Sequence, residues 1–132
     1  MHGPAECLGN LIILCAAKLY PDPKLHLGFA NCMISDYKDI PQRQLVEGCA
    51  MEHSLDFQQI NECISDEGEG VDLLRSSIIR SADQNVTKSC TVRLDGEIRC
   101  IRDGGEWYDC AGGSSVNDLV RDVRELYNKL NN

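Results

Sequence analysis

Eight cysteines, at positions 7, 15, 32, 49, 63, 90, 100 and 110 of a 132-residue chain, constrain the fold more than any other feature. An even number spread along the chain suits a disulfide framework formed in an oxidising compartment. Cys7, Cys15, Cys32, Cys49, Cys63, Cys90, Cys100 and Cys110 are therefore all candidate half-cystines. Eight cysteines allow about 105 pairings, so spacing alone fixes no connectivity. No two are separated by only two residues, so the chain contains no Cys-x-x-Cys. The same spacing bears on metals. Zinc sites usually show close ligand pairs such as Cys-x₂₋₄-Cys. Neither His2 nor His53 stands with such a pair, and neither a metal nor a cofactor is expected.

The length is that of one domain, large enough to bury ~65–70% of the unfolded surface. Apolar residues make up 42% and charged residues 26%, as in a soluble globular protein. With one Trp, two Phe and four Tyr, the core must draw on Leu, Ile, Val, Met and Cys. The formal charge is −8, which disfavours a nucleic-acid or anionic-membrane partner, since both need a basic footprint. No apolar run approaches the ~18–20 residues of a membrane span. The start has neither the basic lead nor the apolar stretch of a signal peptide. For a secreted protein, the signal would then lie upstream. Asn85-Val86-Thr87 is a glycosylation acceptor triplet in a polar stretch and supports secretion.

The first part of the chain reads as helical. Leu8, Leu11, Ile12, Cys15 and Leu19 recur at helical spacing over residues 6–20, and Pro21 and Pro23 stop the pattern. Leu25, Phe29, Cys32 and Met33 place a second helix over residues 25–37. Asp39-Ile40-Pro41 reads as the start of a short helix reaching Cys49, with Pro in the first turn. Ser54 is the expected cap of a helix over 55–64. A further helix runs to Arg80, with Val71, Leu74, Ile78 and Ile79 available to pack.

From Ser89 to Arg102 the period changes to alternation about Asp95-Gly96, a hairpin signal. Cys90, Val92 and Leu94 share one face of the first strand, and Ile98 and Cys100 one face of the second. A two-residue turn pairs 94 with 97 and sets these groups on opposite faces. The parity therefore predicts a three-residue loop or a bulge at Gly96, with Arg93 and Arg99 facing away. Cys90 and Cys100 are then diagonal, which argues against a bond between them. No other strand is expected. Ser115 with Asp118 resembles a capping box. It opens a helix whose stripe is Val116, Leu119, Val120, Val123, Leu126, Tyr127 and Leu130. That stripe is expected to cover the hairpin, which alone would be marginal.

Other candidate chemistry is better explained by structure. Asp66-Glu67-Gly68-Glu69 lacks the alternating oxygen ligands of a calcium loop and reads as a solvated acidic loop. Ser114-Ser115 has no nucleophile-elbow context and reads as a helix cap. Gly112-Gly113 precedes a helix, but Asp118 opposes anion binding there. Trp107-Tyr108 reads as a loop anchor over the core. Cys7, early in a helix, is the best candidate for a reactive thiol.

The opening His2-Gly3-x-x-Glu6-Cys7-x-x-Asn10-x-x-x-x-Cys15 resembles the signature of the gamma-interferon-inducible lysosomal thiol reductase family. That signature begins with a Cys, one residue, then His-Gly, and continues to Glu-Cys, an Asn and a final Cys at these spacings. The resemblance implies an α+β, mostly helical, partial thioredoxin-like fold. Residues 1–132 would form a single domain: a disulfide-stapled helical insertion over 1–84, then a hairpin and closing helix over 85–132. It implies disulfide reduction by thiolate attack through a mixed disulfide, without an organic cofactor, in a secreted or lysosomal/vacuolar setting.

The chain departs from the pattern in three places. Met1 stands just after the position of the leading Cys. The catalytic Cys-x-x-Cys belongs upstream of the signature. The thioredoxin cis-Pro position falls at about Cys90, where Lys88-Ser89-Cys90-Thr91 has no Pro. The chain is thus expected to be inactive alone, with no catalytic residue of its own. The alternative is a non-catalytic secreted, disulfide-rich protein-binding module. Expected partners are protein disulfide substrates or a protein partner. A homodimer or a complementing N-terminal fragment would cover the free edge of the hairpin's first strand.

Overall fold

The computed structural model describes residues 3–65 and 68–132. Signature residue His2 and loop residues Asp66 and Glu67 lie outside the described residues. The architecture is mostly helical with one small antiparallel sheet, an α+β composition. The chain divides into two compact units, residues 1–79 and 80–132.

In the first unit, α1 (Pro4–Leu19), α2 (Pro23–Ser35), α3 (Arg43–Glu52) and α4 (Phe57–Ser65) form a ring. Each packs on its neighbours, with α4 returning to α1. The ring closes over Phe29, Met33 and Ile60, all fully buried, with Ile12, Ala16, Val46, Ala50 and Leu55 around them. The expected apolar phase of α1 and α2 is thus the buried face at Ile12, Cys15, Phe29 and Met33, whereas Leu8, at the start of the α1 stripe, is exposed. Prolines enter both helices in the first turn, where the missing N–H costs nothing. At α2 the Asp22 carboxylate also accepts from the Lys24 N–H, at 2.9 Å. Two starts differ from expectation. Pro41 precedes α3, after a single 3₁₀ turn over Tyr37–Asp39. Ser54 has φ 61° and does not cap α4. Asp56 does so instead, accepting from the Gln58 N–H at 2.8 Å. The helix α5 (Glu69–Asp83) leaves Val71, Ile78 and Ile79 exposed, while Leu73 packs on the core.

In the second unit, β1 (Thr91–Leu94), β2 (Glu97–Asp103) and β3 (Glu106–Tyr108) form a sheet in sequential order. The strand β3 was not expected, and Trp107 lies on it rather than in a loop. At three residues it is too short to show alternation. Asp95-Gly96 and Gly104-Gly105 all have positive φ, as type I′ hairpin turns require.

The parity mismatch is resolved inside a strand, not at the turn. Leu94 pairs with Glu97 across a two-residue loop, and Arg93 with Ile98, but Val92 pairs with Cys100. Arg99 is the extra residue of a bulge. Consecutive residues Arg99 and Cys100 are both buried, and Ile98 is exposed. The expectation that Ile98 faces inward and Arg99 outward is therefore corrected. An Asx-Gly pair favours the two-residue turn, so the compensating residue is displaced into β2.

The closing helix α6 (Val116–Leu130) carries the anticipated capping box. The Ser115 hydroxyl accepts from the Asp118 N–H at 3.2 Å, and Asp118 accepts from the Ser115 N–H at 3.0 Å. Its stripe covers the sheet only in part: Leu126 is half-buried, and Val116 and Leu119 line one cavity with Val92, Cys100 and Trp107. Val116, Leu119, Val120, Val123, Tyr127 and Leu130 remain exposed.

Candidate functional site: the cysteine framework

Helix α1 presents the signature. Gly3, with φ 125°, precedes it; Glu6, Cys7, Asn10 and Cys15 lie along its length. Cys15 is fully buried and bonds to Cys63 of α4, clasping one side of the helical ring. Cys32 of α2 bonds to Cys49 of α3 and clasps the opposite side. These bonds span sequence separations of 48 and 17 residues. In the chain-entropy account they stabilise by about 4 and 3 kcal/mol. In the second unit, Cys100 bonds to Cys110, tying β2 to the segment after β3.

Cys7 and Cys90, counted with the others as half-cystines, are free thiols. Cys7 is half-buried in the first turns of α1; Cys90 is exposed just before β1. Backbone bonds pair Cys90 with Arg102, two residue pairs beyond Val92–Cys100, so Cys90 and Cys100 are diagonal as anticipated. The peptides Ile40–Pro41 and Ser89–Cys90 are cis.

Three donor side chains gather at one clasp. Cys32, Glu52 and His53 each bring a ligand-type atom within 4.8 Å of the others. Sequence spacing hid this cluster, because Cys32 is on α2 and the other two end α3. The His53 ring lies against Gly28 of α2. A Cβ on Gly28 would stand 2.6 Å from His53 Nδ1.

The charged centre of the second unit is Arg99. Its guanidinium is buried by the bulge, bonds to Asp122 of α6, and donates to the Gly113 carbonyl at 2.9 Å. The Arg99 hydrogen bond is the main cause holding the Asp122 carboxyl below the usual carboxylate range. The Ser115 hydrogen bond does the same for Asp118. Arg121 bridges both acids and donates to the Gly112 carbonyl at 2.9 Å. Gly112-Gly113 is therefore a carbonyl platform for arginines. Arg102 lies over the Trp107 ring at 5.1 Å, and Lys88 over Tyr108 at 5.5 Å. Asn85 is exposed at the end of α5, with φ 55°.

Fold and cysteines together define a disulfide-stapled α+β protein without a close dithiol. Residues 1–53 match the family described as Gamma interferon inducible lysosomal thiol reductase (GILT). The family resemblance carried by the opening signature is thereby shown over α1, α2 and α3, and the three disulfides accord with it. No curated protein and no solved structure matches the chain. No helix among the described residues is long and apolar enough to cross a membrane.

Proposed function

We propose that this chain supplies the non-dithiol part of a GILT-like thiol-disulfide oxidoreductase and does not reduce disulfides alone. The carrying observation is a family match over residues 1–53 in a chain without Cys-x-x-Cys. Reduction through a mixed disulfide needs an attacking thiolate and a second thiol to resolve it. The free thiols here, Cys7 and Cys90, lie in separate compact units. The helical ring would serve as a scaffold at the substrate site, and the sheet with α6 would complete a thioredoxin-like half. Secretion or delivery to a lysosomal or vacuolar compartment, with a glycan on the exposed Asn85, belongs to the same reading.

A second reading is a non-catalytic secreted module that binds a protein. The exposed stripe of α6 favours it, since contiguous apolar surface on a helix marks an interaction face. The partner would be a second copy of the chain or a complementing fragment that also takes up the edge of β1.

The test is reduction of insulin disulfides by the purified chain with a thiol recycling reagent. The expected rate equals the reagent-only background. Turnover above background that is lost in Cys7→Ser or Cys90→Ser would overturn inactivity of the isolated chain.

A further inference from the structure

We propose that reduction of the Cys32–Cys49 disulfide converts the α2–α3 clasp into a zinc site built from Cys32, Cys49, Glu52 and His53. This goes beyond the oxidoreductase reading and does not depend on it.

The donors are already gathered. Cys32 Sγ, a Glu52 carboxylate oxygen and a His53 ring nitrogen lie within 4.8 Å of one another, with Cys32 Sγ 3.7 Å from Glu52 Oε2. Cys49 stands outside this group of three and is tied to it by its bond to Cys32. Cys49 and His53 stand one helical turn apart and so share a side of α3. The His53 N–H binds the Cys49 carbonyl at 3.2 Å and fixes the backbone between them. Gly28 gives the ring its place, because any side chain there would push His53 off the cluster.

Size and chemistry fit. Zinc takes sulfur at about 2.3 Å and nitrogen or oxygen at about 2.0–2.2 Å in a tetrahedron. Those bond lengths set neighbouring donors roughly 3.3–3.8 Å apart. The three gathered atoms need to close by only about 1 Å, and the Cys49 sulfur, outside that group, has to turn in to join them once the two sulfurs are free to separate. Cys32 and His53 are half-buried and Glu52 is exposed, so an ion can enter from solvent.

While the disulfide is intact, both sulfurs are committed to each other and neither is a thiolate. A dithiol reductant changes this. The S–S bond breaks, Cys32 and Cys49 become thiols, and the reductant leaves as its own disulfide. Zinc binding then releases one proton from each thiol and forms two Zn–S bonds, with neutral His53 and ionised Glu52 completing four ligands.

The test uses the full chain with Cys7→Ser and Cys90→Ser, reduced by a phosphine under anaerobic conditions and titrated with Co(II). The expected result is one Co(II) per chain with tetrahedral d–d bands and a thiolate charge-transfer band, displaced by Zn(II), and no uptake by the oxidised chain. His53→Ala leaves every thiol in place and should weaken binding at least about 10-fold, the loss that even outer partners of a metal site produce. Circular dichroism follows the helices in parallel. No uptake by the reduced chain, equal uptake by the oxidised chain, or equal affinity in His53→Ala would each overturn the proposal.

Discussion

At the scale of single residues, small side chains and bonded cysteines set the helical ring. Gly9 is buried where α1 meets the segment before α3, and a Cβ there would lie 2.8 Å from Ile40 Cγ2. Gly9→Ala should therefore destabilise the first unit by about 1–2 kcal/mol, since overpacking outweighs the helix-propensity gain. A lowered midpoint in urea, followed by helical circular dichroism, is the check; an unchanged or raised midpoint refutes it. The sequence made Cys15 a core residue through its phase on α1, and Cys15 is fully buried. It could not choose Cys63 as its partner, because that choice depends on α4 packing beside α1. The free state of Cys7 was hidden for the same reason: an even count says nothing of geometry.

At the scale of elements, α6 is the clearest case of local specification. Its start, cap and stripe all follow from a run of adjacent residues. Ser115→Ala removes the hydroxyl acceptor for the Asp118 N–H and should cost about 1 kcal/mol of second-unit stability. Trp107, the single Trp, is a probe confined to that unit. Acid should act through the same helix. Asp118 and Asp122 are both held below the usual carboxylate value by their hydrogen bonds. A carboxyl depressed in the folded state stabilises fully above its unfolded value, near about 3.9, and loses that contribution as pH falls through the folded value. The second unit should thus keep its stability in mildly acidic conditions and lose it in strong acid. Asp122→Asn should flatten that acid loss in a Trp107 fluorescence titration; an unchanged slope would count against the assignment. The strands were less readable. Alternation locates β1 and β2, but it places the extra residue at the turn instead of at Arg99, and three-residue β3 carries no alternation to find it by.

At the scale of the whole molecule, the disulfides staple within units. Cys15–Cys63 and Cys32–Cys49 lie in the first, and Cys100–Cys110 in the second. Peptide mapping without reduction should recover these three bonds, with only Cys7 and Cys90 open to alkylation. Recovery of a Cys90–Cys100 bond, or protection of Cys7, would refute the pairing. The family match ends at residue 53, the C-terminal cap of α3, while the ring it belongs to continues through α4. The signature therefore speaks for the helices that bear it, and the sheet with α6 rests on its own geometry.

Local order along the chain fixed the helices, the capping box, the Asx-Gly turn and the absence of a close dithiol. Each depends on residues within a few positions of one another, where propensity, periodicity and hydrogen bonding act directly. Packing decided which cysteines meet, where the extra residue of β2 falls, and that Cys32, Glu52 and His53 share a corner. Those outcomes join residues distant in sequence, so they exist only once α1 to α4 close around Phe29 and β2 lies against both neighbours.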